Sequence, residues 1–116
     1  IELSDASPET LGPAIGDLIY QAMTETINVP KDDKFQVITR HAAEDLVHPQ
    51  SYLGVAYSAG FVLIQITLNQ GRTIEMKKAF YKRVADELIG FVVPMGKAPL
   101  AAAGTAGSYR CSQIAR

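Results

Sequence analysis

The 116-residue chain has little cysteine, no long apolar run and almost no net charge. Cys111 is alone, so neither an internal disulfide nor a cysteine metal cage can form. No segment approaches the roughly 18 consecutive apolar residues that span a membrane, and no signal peptide is visible. A net charge of −1 gives no basic surface for nucleic acid or anionic lipid. We therefore expect one cytoplasmic domain with no nucleic-acid or membrane partner.

The two ends of the chain also lack expected features. The chain begins at Ile1 rather than methionine, which predicts a processed or incomplete sequence. All twelve acidic residues lie at or before Glu87, and residues 101–107 read AAAGTAG, which is poor strand sequence. The change of composition predicts a domain over residues 1–96 and an atypical Ala/Gly-rich tail over 97–116. A frameshifted or read-through end and a degenerate mobile tail are both open hypotheses for it.

Two segments have the periodicity of amphipathic helices. The first follows Ser7-Pro8-Glu9, a favourable helix opening, although Pro13 requires a loose first turn or a start near Gly12. It ends before Pro30, and the second segment follows Thr73, which is predicted to cap it. Apolar residues share one face of each helix: Leu11, Ile15, Leu18, Ile19, Ala22 and Met23 in the first, and Met76, Phe80, Val84 and Leu88 in the second.

Strands are predicted on either side of these helices. Residues 1–3 and 35–39 alternate between apolar and polar, whereas residues 61–68 are apolar at nearly every position, which is typical of a strand covered on both faces. Residues 41–60 are a looser stretch without a predicted strand. Residues 91–93 are a candidate for one more short strand.

The two halves of the chain resemble each other when Ser7-Pro8-Glu9 is laid on Thr73-Ile74-Glu75. The order strand, helix, strand then begins a second time. Two β-α-β units predict an α+β fold in which two parallel strand pairs form one sheet and both helices lie on one face. The other face of the sheet would still be apolar, so we expect an oligomer to cover it.

Three stretches resemble the tautomerase superfamily: NVPKDDKFQVITRH (28–41), SYLG (51–54) and FVLIQITLNQGRTIEMKKAFYKRV (61–84). Within it, residues 1–88 are similar to long-subunit proteins of the 4-oxalocrotonate tautomerase-like and malonate semialdehyde decarboxylase-like groups. The resemblance implies the tandem β-α-β fold, a homotrimer, and chemistry without a metal or organic cofactor.

The resemblance also implies a site. Arg72, at the corner between the apolar run and the second helix, falls on a substrate-binding arginine and is expected to hold a carboxylate. Asp33 falls on a catalytic polar residue that positions water or substrate. Gln70 stands where some relatives have a second arginine, and Asn69 precedes it. Both are substrate-binding candidates that bring hydrogen bonds but no charge.

The acid or base implied by the resemblance is an N-terminal proline, because its secondary amine can exchange a proton near pH 7. Alignment places this proline upstream of Ile1. Pro8 and Pro13 cannot replace it, since a proline inside a chain has an amide nitrogen. The implied function is a tautomerase or isomerase that moves a proton on a small 2-keto or unsaturated carboxylic acid, with decarboxylation, hydration or dehalogenation as related reactions.

Other hypotheses stay open from the sequence. Without the proline, the chain would be a non-catalytic trimeric scaffold or a small-carboxylate binder. With a disruptive tail, it would be a poorly folded product without function. The residues themselves also allow Arg72 to be a solvated turn residue and Asp33 a turn former, and His41 and His48 have no metal-like spacing.

Overall fold

The computed structural model describes residues 1–52, 55–57 and 60–92. The predicted tail, residues 97–116, and Cys111 within it lie outside the described residues. The elements follow in the order β1 (Glu2–Ser4), α1 (Leu11–Thr26), β2 (Thr39–His41), β3 (Ser51–Tyr52), β4 (Val55–Ala56), β5 (Val62–Leu63) and α2 (Ile74–Val92).

The main sheet has the strand order β2-β1-β5. β1 pairs with β2 in parallel, with Glu2 opposite Thr39, and α1 is the connection between these two strands. β1 pairs with β5 in the antiparallel sense, with Glu2 opposite Leu63. The α+β class and the first β-α-β unit are therefore confirmed. The second parallel pair is not present among the described residues, and residues 101–107, which correspond to β2 in the repeat, lie outside them.

Helix α1 begins later than Ser7 and Pro8 indicated. Its N-cap is Thr10, which makes no side-chain cap, and the first backbone bond runs from the N–H of Ala14 to the carbonyl of Thr10 at 3.2 Å. Pro13 therefore lies in the first turn, where an N–H has no helical partner to lose. The alternative of a start near Gly12 is the correct one.

Helix α2 begins as predicted and extends into the residues that were suggested as a strand. The N–H of Met76 donates to Thr73 Oγ1 at 3.1 Å, which confirms the cap. The helix continues through Gly90 to Val92, so the suggestion of a strand over residues 91–93 is wrong for its first two residues.

The two long predicted strands are shorter in the structure. β2 starts only at Thr39, while Phe35 and Val37 are 90% and 76% exposed. In the 61–68 run only Val62 and Leu63 are strand, and from residue 62 to 68 half-buried and exposed positions alternate. One face of this run is therefore exposed to solvent in the single chain. The prediction that both faces are covered is wrong for the single chain. Residues 41–60 contain a β3–β4 hairpin that was not predicted.

The core lies between the two helices and the sheet. Buried apolar residues of α1, the turn after it and α2 form one cluster: Ile15, Ile19, Ala22, Ile27, Val29, Phe80 and Val84. The remaining predicted helix-face residues, among them Leu11, Met23, Met76 and Leu88, pack partly buried against it. Both predicted apolar faces are thus confirmed. No helix within the described residues has the length and hydropathy to cross a membrane.

Candidate active site

Three segments of the chain meet at one edge of the sheet. Because β2 is parallel and β5 antiparallel to β1, the start of β1, the residues before β2 and the residues after β5 lie at the same edge. The amino group of Ile1 donates to the carbonyl of Val37 at 2.8 Å, and the N–H of Thr39 donates to the carbonyl of Ile1 at 2.9 Å. The predicted site residues Asp33, Asn69, Gln70 and Arg72 all belong to the two flanking segments.

Arg72 is half-buried and held by backbone. Its Nε donates to the carbonyl of Ile27 at 3.2 Å, and its Nη1 donates to the carbonyl of Asn69 at 2.9 Å. Ile27 is available as a partner because α1 ends there: Asn28 takes a left-handed conformation, φ 56°, which leaves the last helical carbonyls unpaired within the helix. Within the described residues Arg72 forms no ion pair. Its positive charge is oriented by two neutral groups and neutralised by none of them.

A cleft of about 190 Å³ lies beside this guanidinium. Its lining comes from the end of α1 and the corner before α2: Ile27, Asn28, Gln70, Gly71, Arg72 and Met76. Gly71 has φ 115°, a conformation that side chains with a Cβ rarely adopt. This glycine turns the chain sharply between Gln70 and Arg72, so that both residues line one cleft.

The structure brings only part of the predicted set together. Gln70 and Arg72 line the cleft, and Asn69 supports Arg72 through its carbonyl. Asp33 is exposed and is not among the lining residues. It lies in a turn closed by its own N–H, which donates to the carbonyl of Pro30 at 3.1 Å. The turn-forming role that the sequence allowed for Asp33 is therefore present in its backbone.

Sequence reasoning missed four lining residues: Ile27, Asn28, Gly71 and Met76. A signal for one of them was present, since an asparagine after the last helical turn is a common left-handed helix terminator. Ile27 serves through its carbonyl, which no side-chain pattern reveals. Met76 was assigned to the core face of α2, and it both packs on the core and borders the cleft.

The two histidines lie elsewhere. His41 Nε2 bonds a carboxylate oxygen of Glu2, and this hydrogen bond lowers the pKa of the Glu2 carboxyl below its ordinary value of 4.5. His48 borders a second cavity of about 240 Å³ with Ser4, Ala43 and Leu46, and its ring centroid lies 5.0 Å from that of Phe61. In the described part of the chain, no group of three or more His, Cys, Asp and Glu residues could hold a metal ion.

Comparison with known proteins decides the family. A family model described as "Tautomerase enzyme" matches residues 33–91, about half of the chain. The chain belongs to the tautomerase family. The matched range contains Asp33, Asn69, Gln70 and Arg72, and the superfamily resemblance and the expectation of a tautomerase-type enzyme are confirmed.

Two curated proteins of Bacillus subtilis (strain 168) are similar to this tautomerase-family chain. Probable tautomerase YusQ is 36% identical over 88 residues, which cover 76% of this chain and 69% of YusQ. Probable tautomerase YrdN is 25% identical over 72 residues, which cover 62% of this chain and 55% of YrdN. The chain therefore spans between about half and about two thirds of these relatives.

Solved structures with the tautomerase fold also match. A crystal structure of FG41 malonate semialdehyde decarboxylase inhibited by 3-bromopropiolate has a TM-score of 0.68 and 26% identity, covering 98% of this chain and 76% of that one. A malonate semialdehyde decarboxylase solved as wild type, as a proline-to-alanine mutant and in inactivated form has a TM-score of 0.73. Its 21% identity, over 99% of this chain and 81% of that one, shows the fold alone.

Proposed function

We propose that this tautomerase-family chain moves a proton on a small 2-keto or unsaturated carboxylic acid, in the cytoplasm, as a homotrimer and without an organic or metal cofactor. Arg72 carries the proposal: a half-buried guanidinium, oriented by two carbonyls, borders a cleft of the size of a few-carbon acid. A guanidinium binds a carboxylate with parallel N–H donors. It also stabilises the negative charge that an enolate develops.

The acid or base in this proposal is a proline that precedes Ile1. The pKa of an amino group at a chain start lies below that of a lysine side chain, and apolar surroundings lower it further by disfavouring the cation. Support comes from the position of Ile1. A residue before it would lie at the same edge of the sheet as the residues after β5 and the residues before β2. The amine takes a proton from the carbon next to the keto group, and the resulting enolate is reprotonated at another atom.

The polar residues beside Arg72 complete the proposed site. Gln70, in the cleft lining, offers an amide hydrogen bond to substrate. The carbonyl of Asn69 accepts a hydrogen bond from Arg72, so Asn69 supports substrate binding indirectly, by orienting Arg72. Asp33 orients water or substrate at the same edge of the sheet. Decarboxylation and hydration use the same groups when the amine acts as an acid, and the two decarboxylase structures motivate their inclusion.

The test is substitution of Arg72 by alanine. We expect Arg72→Ala to raise the KM for a 2-keto acid by 10-fold or more, because a charged hydrogen bond contributes about 1.5–3 kcal/mol, or to abolish turnover. The oligomeric state should not change. Lys78→Ala removes one positive charge from an exposed position of α2 and should leave KM as it is. Unchanged kinetics in Arg72→Ala would remove Arg72 from the site.

The non-catalytic carboxylate binder is distinguished by a second measurement. Deuterium incorporation into a 2-keto acid in deuterated water, followed by NMR, reports proton transfer at carbon directly. A binder would show heat of carboxylate binding by calorimetry but no deuterium incorporation above the uncatalysed rate. Determination of the N-terminal residue of the purified protein accompanies this test, since a start at Ile1 excludes proline catalysis.

A further inference from the structure

Residues 30–38 belong to no helix or strand, yet they are fastened along the surface of α1. The Tyr20 hydroxyl donates to the carbonyls of Pro30, at 3.3 Å, and Lys31. The Lys34 ammonium pairs with Asp17 and lies 5.5 Å from the centroid of the Tyr20 ring. We call residues 30–38 the α1-bound segment.

Contacts nearer its other end continue the same pattern. The Gln36 amide donates to the carbonyl of Gly16 at 2.7 Å, and Ile38 lies against Gly12. On α1, Gly12, Gly16 and Tyr20 are spaced by about one helical turn and share one face, and Asp17 borders this face three residues before Tyr20. The α1-bound segment thus runs along a continuous stripe of the helix, opposite in direction to it.

Two positions of this stripe, Gly12 and Gly16, have residues without a side chain. A Cβ at Gly12 would lie 2.6 Å from Cγ2 of Ile38, and a Cβ at Gly16 would meet the amide of Gln36 closer still. Side-chain atoms do not approach so closely without displacement. The two glycines therefore let the segment approach the helix, and Asp17 and Tyr20 supply the polar contacts that hold it there.

Asp33 is located in the middle of this segment. Its turn is closed by a bond from the Asp33 N–H to the carbonyl of Pro30, at 3.1 Å, and the Tyr20 hydroxyl donates to that same carbonyl. Two donors, one from the helix and one from the turn, thus share a single acceptor. Through this acceptor the position of the Asp33 backbone is linked to a rigid helix rather than to an open loop.

We propose that Tyr20 is a positioning residue for Asp33: its hydroxyl anchors the turn that carries the carboxylate at the cleft edge of the sheet, with the Asp17–Lys34 pair as a second anchor. The catalytic role of Asp33 rests on the proposed function. The anchoring of its turn does not, and it is measured separately.

The first experiment is amide hydrogen exchange by NMR on the full chain. Tyr20→Phe keeps the ring and removes only the hydroxyl. Since loss of this hydrogen bond frees the turn to open, the Asp33 amide should exchange roughly 5- to 10-fold faster, while amides of the α1 core turns keep their rates. Asp17→Asn should accelerate the same amide. Unchanged exchange at Asp33 in both variants overturns the proposal.

The second experiment asks whether Tyr20 acts through Asp33 in catalysis. We expect Tyr20→Phe to lower kcat/KM several-fold in the parent protein and to have no further effect in an Asp33→Asn background, because coupled residues are non-additive. Equal losses in both backgrounds would assign Tyr20 a general structural role and overturn the proposal. Tyr57→Phe is the matched control: it removes a tyrosine hydroxyl from a ring packed on His48 and Phe61. It should change neither the exchange rate of the Asp33 amide nor kcat/KM.

Failure of the proposed function gives a different result. If the parent protein does not exchange substrate protons at all, the enzymatic proposal fails, and the amide exchange of Asp33 still decides whether Tyr20 anchors the turn. Faster exchange in Tyr20→Phe then supports the anchor alone.

Discussion

Arg72 is oriented by backbone carbonyl groups, which a pattern of side chains in the sequence does not reveal. Its two described partners are backbone carbonyls, of Ile27 and Asn69, and the Ile27 carbonyl lies at the end of α1, where the helix leaves it without a partner of its own. A carboxylate partner would have cancelled the charge that a substrate acid needs. Carbonyl partners fix the direction of the guanidinium and leave its charge available.

The site was therefore predictable for residues that act through their own side chains. The family resemblance indicated Gln70 and Arg72, in the corner NQGR before a helix start, and both line the cleft. The resemblance indicated Asp33, but its distance from the cleft depends on how residues 30–38 pack on α1. That packing depends on Gly12 and Gly16, whose small size carries no signal of a contact with residues twenty or more positions later in the chain.

The Glu2–His41 pair gives a prediction at the residue scale. The His41 hydrogen bond lowers the pKa of Glu2 in the folded chain, so its stabilisation is fully present above the ordinary pKa of 4.5 and is lost as pH falls through the lowered value. Glu2→Gln should therefore reduce the free energy of unfolding above pH 4.5, and the difference from the parent should shrink in stronger acid.

Urea unfolding over a series of pH values measures this difference. Glu44→Gln, at an exposed loop position, is the matched control for loss of a carboxylate. A Glu2→Gln deficit that grows as the pH is lowered would contradict the assigned role of the pair.

At the scale of elements, the helices were predicted better than the strands. A helix forms its hydrogen bonds within one segment, so the spacing of Ile15 and Ile19, or of Phe80 and Val84, is sufficient to indicate it. A strand requires a partner. Phe35 and Val37 alternate correctly, but β1 as described begins at Glu2 and pairs only with Thr39–His41 of that segment, so the earlier residues are not strand.

The contact between α1 and α2 supplies a prediction at this scale. Phe80 is 5% exposed and packs with Ile15, Ile19 and Val84 in the core cluster. Phe80→Ala removes the ring and leaves a cavity, so we expect a loss of about 3–5 kcal/mol in the free energy of unfolding. That is a large part of the 5–15 kcal/mol typical of a domain.

Phe80→Leu, which keeps much of the apolar volume, should lose clearly less in the same urea titration. Glu25→Gln breaks the ion pair with Arg83 that joins the two helices at their surface, and it should cost less than either because that pair is half-exposed. Equal effects of Phe80→Ala and Glu25→Gln would mean that the helices are held together mainly by their surface charges.

At the scale of the whole molecule, exposed apolar residues on β5 and in the residues before β2 favour self-association. Leu63 of β5 is 50% exposed, and Phe35 and Val37 are more exposed still. Apolar patches of this kind mark interaction surfaces, and the proposed homotrimer would cover them.

Leu63→Asp tests the assembly. A carboxylate buried in an interface without a partner is costly, so we expect the mass in solution to fall from about three times 12.5 kDa toward that of one chain, measured by light scattering or sedimentation. Val47→Asp places the same charge at an apolar loop position that is 84% exposed and should leave the mass unchanged. Persistence of the trimer in Leu63→Asp would locate the interface elsewhere.

The glycine stripe of α1 has a consequence for protein engineering. Replacement of helical glycines by alanine is a common route to heat-resistant variants, since alanine gains up to about 1 kcal/mol in a helix interior. At Gly12 the added methyl group would meet Cγ2 of Ile38, and at Gly16 it would meet the terminal amide of Gln36, so these side chains would have to shift and the Gln36 hydrogen bond to the Gly16 carbonyl would be disturbed. A thermostabilisation library for this protein should leave these two positions unchanged and take its helix-strengthening substitutions from the exposed side of α2.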